Sequence, residues 1–402
     1  MTMAVTLNET PAANRIHIGF YGKRNSGKSS LLNAFAGQEV AVVSGQAGTT
    51  TDPVNKPMEI HGLGACVLTD TAGFDDVGTL GRSRVEKTRK AAERTDIALL
   101  LCSGEELEEE MAWYNHFREN KTPVILVVNK ADVGEAAERL CQTVKEQFGE
   151  EPVLVSARDK TGLEDLKERM LRALPEDYAK RSITGELAAE GDVVLLVMPQ
   201  DIQAPKGRLI LPQVQTIREL LDKKCIVLSV TTDKLKAALD AMKMPPKLII
   251  TDSQAFAEVY KEKPAESALT SFSMLFAGQK GDMQYYIDSA KEIASLSGKS
   301  RVLIAECCTH APLAEDIGRV KLPRLLRQRY GEAMQIDIVS GTDFPEELNG
   351  YDLIIQCGGC MFNRKYILSR IERARAQGVP MTNYGVALAF LNGILEQTVY
   401  IV

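Results

Sequence analysis

Two groups of residues in this chain have the types and spacing to do chemistry. The first is Gly22-Lys23-Arg24-Asn25-Ser26-Gly27-Lys28-Ser29-Ser30, which has the Gly-x4-Gly-Lys-Ser spacing of a phosphate-binding loop. Glycines allow backbone N–H groups to turn toward phosphate oxygens, and a helix N-terminus adds positive potential. Lys28 would reach the terminal phosphates of a nucleotide, and the Ser29 hydroxyl would bind Mg2+. The second group is Cys308-Thr309-His310 with Cys357-Gly358-Gly359-Cys360, a soft-metal set.

Motifs downstream sharpen the first group. Asp70-Thr71-Ala72-Gly73 closes an apolar run; Asp70 is placed to hold Mg2+ through water, and the Gly73 N–H to sense a γ-phosphate. Asn129-Lys130-Ala131-Asp132 closes another. Asp132 would accept two hydrogen bonds from the guanine edge, with Asn129 and Lys130 bracing loop and base. Ser156-Ala157 completes the base pocket. Four motifs in this order, over about 160 residues, resemble the translation-factor-like GTPases, binding GTP and GDP. Gly48-Thr49-Thr50-Thr51-Asp52 resembles the switch of the Era/TrmE branch, with Thr51 as the preferred Mg2+ ligand and Thr50 close behind. Phe74 stands where Ras-like proteins place a water-orienting Gln. Asn25 matches the position at which TrmE-like GTPases help to bind K+. The resemblance thus implies hydrolysis that is intrinsically slow and stimulated by K+.

The cysteine set is read from its surroundings. Cys308 and His310 follow the strand-like run Arg301–Ala305, and Cys357 and Cys360 follow Tyr351–Gln356. Loops at the carboxyl ends of neighbouring strands share a crevice in an open α/β sheet, so residues about 50 positions apart can meet there. The Gly358-Gly359 pair makes a tight turn. Three thiolates with one further ligand suit an iron–sulfur cluster or zinc; a closed Cys3His zinc site, a redox dithiol and a purely structural turn are the other readings. His310 is either a ligand or a donor behind one. Cys307 and Cys308 face opposite ways on an extended segment; Cys308 is taken as ligand, Cys307 as a packing thiol, and Glu306 as a weaker oxygen ligand.

The elements that must position these residues are α/β throughout. Strand patterns occur at Arg15–Tyr21, Ala65–Thr69, Ile97–Cys102, Val124–Asn129 and Pro152–Ser156, alternating with helical patterns such as Lys28–Ala36 and Leu163–Ala173. This predicts a doubly wound, mainly parallel sheet. After a polar stretch from Pro175 to Glu190, a second unit has strands at Val193–Val197, Cys225–Val230 and Lys247–Thr251, with helices at Pro212–Asp222 and Lys234–Met242. A third begins with a helical stretch, Ser267–Phe276, then strands at Arg301–Ala305, Gln335–Val339 and Tyr351–Gln356, with helices at Leu322–Tyr330 and Arg364–Gln377. The expected domains are 1–177, 191–263 and 266–402.

At 402 residues, 25% charged and 45% hydrophobic, the composition is that of a soluble globular protein. A net charge of −6 argues against nucleic acid held mainly through phosphates. No apolar run approaches the roughly 20 residues of a membrane span, and no secretory signal is visible in residues 1–15. The expectation is a cytoplasmic protein whose eight cysteines are reduced or metal-bound, with Cys66, Cys102, Cys141 and Cys225 as core thiols.

A GTPase followed by Cys-x-His and Cys-Gly-Gly-Cys resembles the HydF family of FeFe-hydrogenase maturation GTPases, over almost the whole chain. Asp201-Ile202-Gln203-Ala204-Pro205-Lys206-Gly207-Arg208-Leu209-Ile210-Leu211-Pro212-Gln213, Asp316-Ile317-Gly318 and Met361-Phe362-Asn363-Arg364 are also family-like. The resemblance implies a GTPase domain, a dimerisation domain forming a homodimer, and a domain binding a 4Fe–4S cluster through Cys308, Cys357 and Cys360 with an exchangeable fourth position. It further implies a diiron precursor, built by radical-SAM partner enzymes and handed to the apo FeFe-hydrogenase. Many members have His before the first Cys of the second motif; here Gln356 stands there. The competing reading is an Era/TrmE-like GTPase in RNA or ribosome maturation with a structural zinc domain.

Overall fold

A computed structural model describes residues 11–37, 53–75, 78–104, 106–174, 182–199, 209–307 and 317–401. The chain divides into two units, Met1–Ala179 and Lys180–Val402.

In the first unit six strands, β1 Ile16–Gly22, β2 Val54–Ile60, β3 Gly64–Asp70, β4 Ile97–Cys102, β5 Val124–Val128 and β6 Val153–Leu154, form one sheet in the order β2-β3-β1-β4-β5-β6. All pairs are parallel except β2 with β3. The central strands are continuous apolar runs because both faces are covered. Helices α1 Lys28–Ala36, α2 Gly78–Ala92, α3 Glu108–Glu119, α4 Glu135–Phe148 and α5 Leu163–Ala173 cross between strands. Two cores result. One places Ile18, Leu31, Leu99, Val127 and Leu166 together; the other joins Tyr21, Phe74, Leu100, Trp113 and Phe117. The edge strand β2 lies outside the sequence reading, because Val54–Ile60 is half exposed and carries Pro57.

The second unit contains two four-stranded parallel sheets. Strands β7 Val193–Val197, β8 Ile226–Val230, β9 Leu248–Thr251 and β10 Ala268–Ser271 take the order β10-β9-β7-β8, and β11 Arg301–Ala305, β12 Gln335–Val339, β13 Leu353–Gln356 and β14 Met381–Asn383 take the order β12-β11-β13-β14. Their helices are α6 Leu211–Asp222, α7 Leu235–Ala241, α8 Phe256–Glu262, α9 Phe272–Lys280, α10 Met283–Lys291, α11 Leu322–Tyr330, α12 Arg364–Ala376 and α13 Tyr384–Leu391.

Here the structure corrects the reading of Ser267–Phe276 as one helix. Residues 268–271 are a strand hydrogen-bonded to β9, and the Ser271 hydroxyl accepts from the Met274 N–H at 3.2 Å to cap α9. The two sheets also share a core: Leu195, Ile249 and Phe256 of one pack in the same apolar cluster as Val302, Ile354 and Leu388 of the other. The chain then returns, and the Val399 N–H donates to the Leu269 carbonyl of β10 at 2.9 Å.

Candidate functional site: a phosphate loop and a cysteine turn

The phosphate loop leaves the carboxyl end of β1, the central strand from which connections run to both sides; ligands in such sheets bind at this reversal. Gly22 has φ +150°, and a Cβ there would lie 2.6 Å from the Leu101 carbonyl, so only glycine fits. Gly27, at φ +93°, precedes α1, whose first-turn N–H groups open toward the loop. The Lys28 ammonium donates to the Gly22 and Lys23 carbonyls at 2.9 and 2.7 Å. The Ser29 hydroxyl donates to Asp70 Oδ2 at 2.5 Å, bringing two hard oxygen donors together at the end of β3. Such a pair suits Mg2+. The Ser26 hydroxyl is buried with no hydrogen-bond partner among the described residues.

Asn129 ties three loops together. Its Oδ1 accepts from the N–H groups of Lys130 (2.8 Å) and Ala157 (3.1 Å), and its Nδ2 donates to the Gly27 carbonyl (3.4 Å). Lys130 Nζ donates to the Asn25 carbonyl at 3.0 Å. Ser156 Oγ donates to Asp132 Oδ1 at 3.0 Å and accepts from the Asp159 N–H. The Asp132 carboxylate is held by this bond and by Arg158 Nη1 at 3.7 Å. Ser30 follows Ser29 within α1. Thr49, Thr50 and Thr51 lie outside the described residues.

The sequence reading missed two braces on this loop and one packing contact beside the turn after Gly73. Asp75 accepts from the Arg24 N–H at 2.7 Å and pairs with Arg24 Nε at 3.3 Å, tying the loop to the turn after Gly73. Lys23 pairs at 2.9 Å with Glu110, buried on α3. Phe74 is buried and stacks on Trp113 at 5.7 Å between centroids. The opposite charges of Lys23-Arg24 and of Asp75 just after Gly73 were the available signal.

In the second unit β11 and β13 are neighbours, and Ala305 lies opposite Gln356. From β11 the sheet continues to β12, and from β13 to β14 on the other side, so the loops after them leave from a reversal point. The Cys357 N–H donates to the Ala305 carbonyl, and the Cys307 N–H donates to Cys357 Sγ at 3.1 Å. Cys307 is therefore more than a packing thiol: its backbone and sulfur both address Cys357. Gly359, at φ +67°, makes the turn toward Cys360. Asn383, at the end of β14, donates to the Gln356 and Cys357 carbonyls at 3.3 Å each.

The hydrogen bond from the Cys307 thiol holds Cys357 down to about 7, against burial and with help from the Gly359 and Cys307 N–H groups. That bond, together with burial, pushes Cys307 well above the ordinary thiol range. Burial pushes Cys360 up to about 11, with the neighbouring Cys357 adding to it. Lys280 and Arg370, both buried, border the same turn. Glu306 is committed elsewhere: its carboxylate accepts from Arg319 Nε at 3.0 Å and from Ser340 Oγ at 3.2 Å. Gln356 is buried, and its amide nitrogen lies 3.4 Å from the Tyr286 hydroxyl. Cys308 and His310 lie outside the described residues, and among the described residues no three His, Cys, Asp or Glu side chains form a metal-holding group. The donor chemistry present, cysteine sulfurs bordered by buried cations, fits an anionic metal–thiolate group.

Comparison with known proteins gives the family. Residues 183–281 match the model described as the hydrogen maturase F dimerization domain, and residues 284–401 match its tetramerization domain. The chain belongs to the hydrogen maturase F family. Its N-terminal domain is a GTPase domain, with residues 17–130 matching the model described as 50S ribosome-binding GTPase. In that region the chain is 37% identical over 162 residues to the tRNA modification GTPase MnmE of Chromobacterium violaceum, covering 40% of this chain and 35% of MnmE. It is 37% identical over 188 residues to GTPase Der of Wolinella succinogenes, covering 44% and 39%. The chain thus spans little more than a third of the length of these curated relatives. A crystal structure of Aquifex aeolicus Era bound to GDP and AlF4− aligns at 22% identity and a TM-score of 0.37, covering 54% of this chain and 92% of Era. Among the described residues no helix is long and apolar enough to cross a membrane.

Proposed function

We propose that this member of the hydrogen maturase F family is a GTP-hydrolysing scaffold. It would hold a 4Fe–4S cluster at the Cys357–Cys360 turn, carry a diiron precursor made by radical-SAM enzymes, and pass it to apo FeFe-hydrogenase. The observation that carries this reading is one chain with both a phosphate loop at one sheet's reversal point and a half-buried cysteine turn at another's.

In the first unit Gly22, Asn25, Ser26, Gly27, Lys28, Ser29 and Ser30 would hold the phosphates. Asn129, Lys130, Asp132, Ser156 and Ala157 would hold guanine, because Asp132 can accept from its N1 and 2-amino groups. Ser29, Thr51 and Asp70 would hold Mg2+, which neutralises charge on the transferred phosphoryl group. Gly73 would report on the γ-phosphate. With Phe74 packed on Trp113, no side chain of that position orients water. Asn25 is thus proposed to help to bind K+. Water would attack the γ-phosphorus, the bond to the bridging oxygen would break, and GDP and phosphate would leave, with the water's proton passing to phosphate or solvent. Cys308, Cys357 and Cys360, with His310 or another exchangeable group, are the proposed cluster ligands. Thiolate ligation requires deprotonated sulfur; the Cys307 hydrogen bond lowers Cys357 toward that state, whereas burial raises Cys360, whose proton a metal would have to displace.

The deciding experiment is anaerobic reconstitution of the full chain with iron and sulfide, followed by metal analysis and EPR, beside the double variant Cys357→Ser/Cys360→Ser. The expected result is about four irons per chain, lost in the variant. Stoichiometric zinc without cluster would leave a GTPase with a structural metal domain.

A further inference from the structure

We propose that Lys280 and Arg370 are built-in counter-charges of the cysteine turn, positioning residues that favour an anionic metal–thiolate cluster and raise the potential at which it accepts an electron. This rests on the reading of the turn as a cluster site.

Lys280 ends α9 and is only 4% exposed. Its ammonium donates to the carbonyls of Gly359 (3.2 Å) and Phe362 (2.9 Å), which bracket Cys360. A lysine is rarely this buried without an ion pair, because desolvating the ammonium is costly. Arg370, on α12, is 1% exposed. Its guanidinium lies 4.8 Å from the ring centroids of both Phe344 and Tyr366 and 5.3 Å from that of Phe362. It donates to the Gly341 carbonyl, and its Nη1 lies 3.7 Å from Cys307 Sγ. Among the described residues neither cation is paired with a carboxylate. The ionisable groups that face them are sulfurs: burial lowers Lys280 to about 8, and Cys360, Cys307 and Cys357 oppose that fall to the extent that they are thiolates.

Two buried cations beside one cysteine turn are a poor arrangement for neutral thiols and a good one for thiolates bound to metal. A cluster held by three thiolates is a net anion, and reduction makes it more negative. Fixed positive charge in a low-dielectric wall therefore stabilises the reduced form more than the oxidised one. The two residues act by different routes. Lys280 holds the turn through two carbonyls, whereas Arg370 faces Cys307, whose N–H reaches Cys357.

The test uses the full chain, reconstituted anaerobically with iron and sulfide, as wild type, Lys280→Gln, Lys280→Arg and Arg370→Lys. Lys280→Gln removes the charge while keeping a hydrogen-bond donor, and Lys280→Arg keeps the charge. EPR-monitored redox titration gives the midpoint potential, and an iron chelator gives the rate of iron loss. The expected result is a more negative potential and severalfold faster iron loss in Lys280→Gln, with the potential restored in Lys280→Arg and retained in Arg370→Lys. A wild-type potential in Lys280→Gln, with the cluster fully loaded, would overturn the proposal and leave the cluster reading intact. A wild type that takes up no iron and sulfide would overturn both.

Discussion

Gly73 closes against the phosphate loop: a Cβ there would lie 2.7 Å from the Arg24 backbone nitrogen. The Gly73→Ala variant is therefore expected to keep GDP affinity near wild type and to lose hydrolysis by an order of magnitude or more, on the order of 1.4 kcal/mol. Equal turnover with and without the methyl group would refute the role given to Gly73. Asn25 sits one residue away in left-handed backbone, at φ +59°. If it helps to bind K+, turnover in K+ buffer will exceed that in Na+ buffer, and Asn25→Ala will level the two; equal rates for the wild type rule this out. Lys28 already lies among the loop carbonyls, so Lys28→Ala should abolish nucleotide binding, as read by titration with a fluorescent GDP analogue.

Helix α6 carries the clearest case of an element organised by one side chain. Glu219 accepts from the Ile183 N–H (2.5 Å), the Thr184 N–H (2.8 Å) and the hydroxyls of Ser182 (2.8 Å) and Thr184 (2.7 Å). Burial alone would raise its pKa, but these four donors outweigh burial and hold it below the ordinary carboxylate range. The stabilisation is complete at neutral pH, above the unfolded pKa of about 4.3, and is lost as pH falls through the lower folded value. Glu219→Ala should destabilise the second unit by roughly 1–3 kcal/mol, seen as a lower urea midpoint that the wild type approaches only in acid. Elements with apolar runs or clear helical periodicity were legible in the sequence: Lys28–Ala36, Ile97–Cys102, Val193–Val197, Arg301–Ala305 and Leu322–Tyr330 have the same bounds in both readings. The strand at 268–271 was hidden because its apolar residues run into those of α9, although Ser271 was a readable cap. The phosphate loop was legible because its chemistry is local. The walls of the cysteine turn were not, because Lys280 and Arg370 arrive from separate helices. Arg370 did leave a trace: it lies on the same helical stripe as Tyr366, Ile367, Ile371 and Ala374, all buried.

At the scale of the molecule, the second unit is joined by its own end. Val399 bonds to β10, and a Cβ on Gly278 of α9 would lie 2.8 Å from the Ile401 carbonyl. Deleting residues 398–402 should lower the stability of the second unit by about 1–3 kcal/mol; an unchanged melting curve for the truncated chain would contradict this. The same return sets an order in time. Leu269 emerges during synthesis about 130 residues before its partner Val399. Until Val399 follows, the edge strand β10 lacks even this bond on a nascent chain, and an open parallel edge is the kind of surface that recruits wrong neighbours.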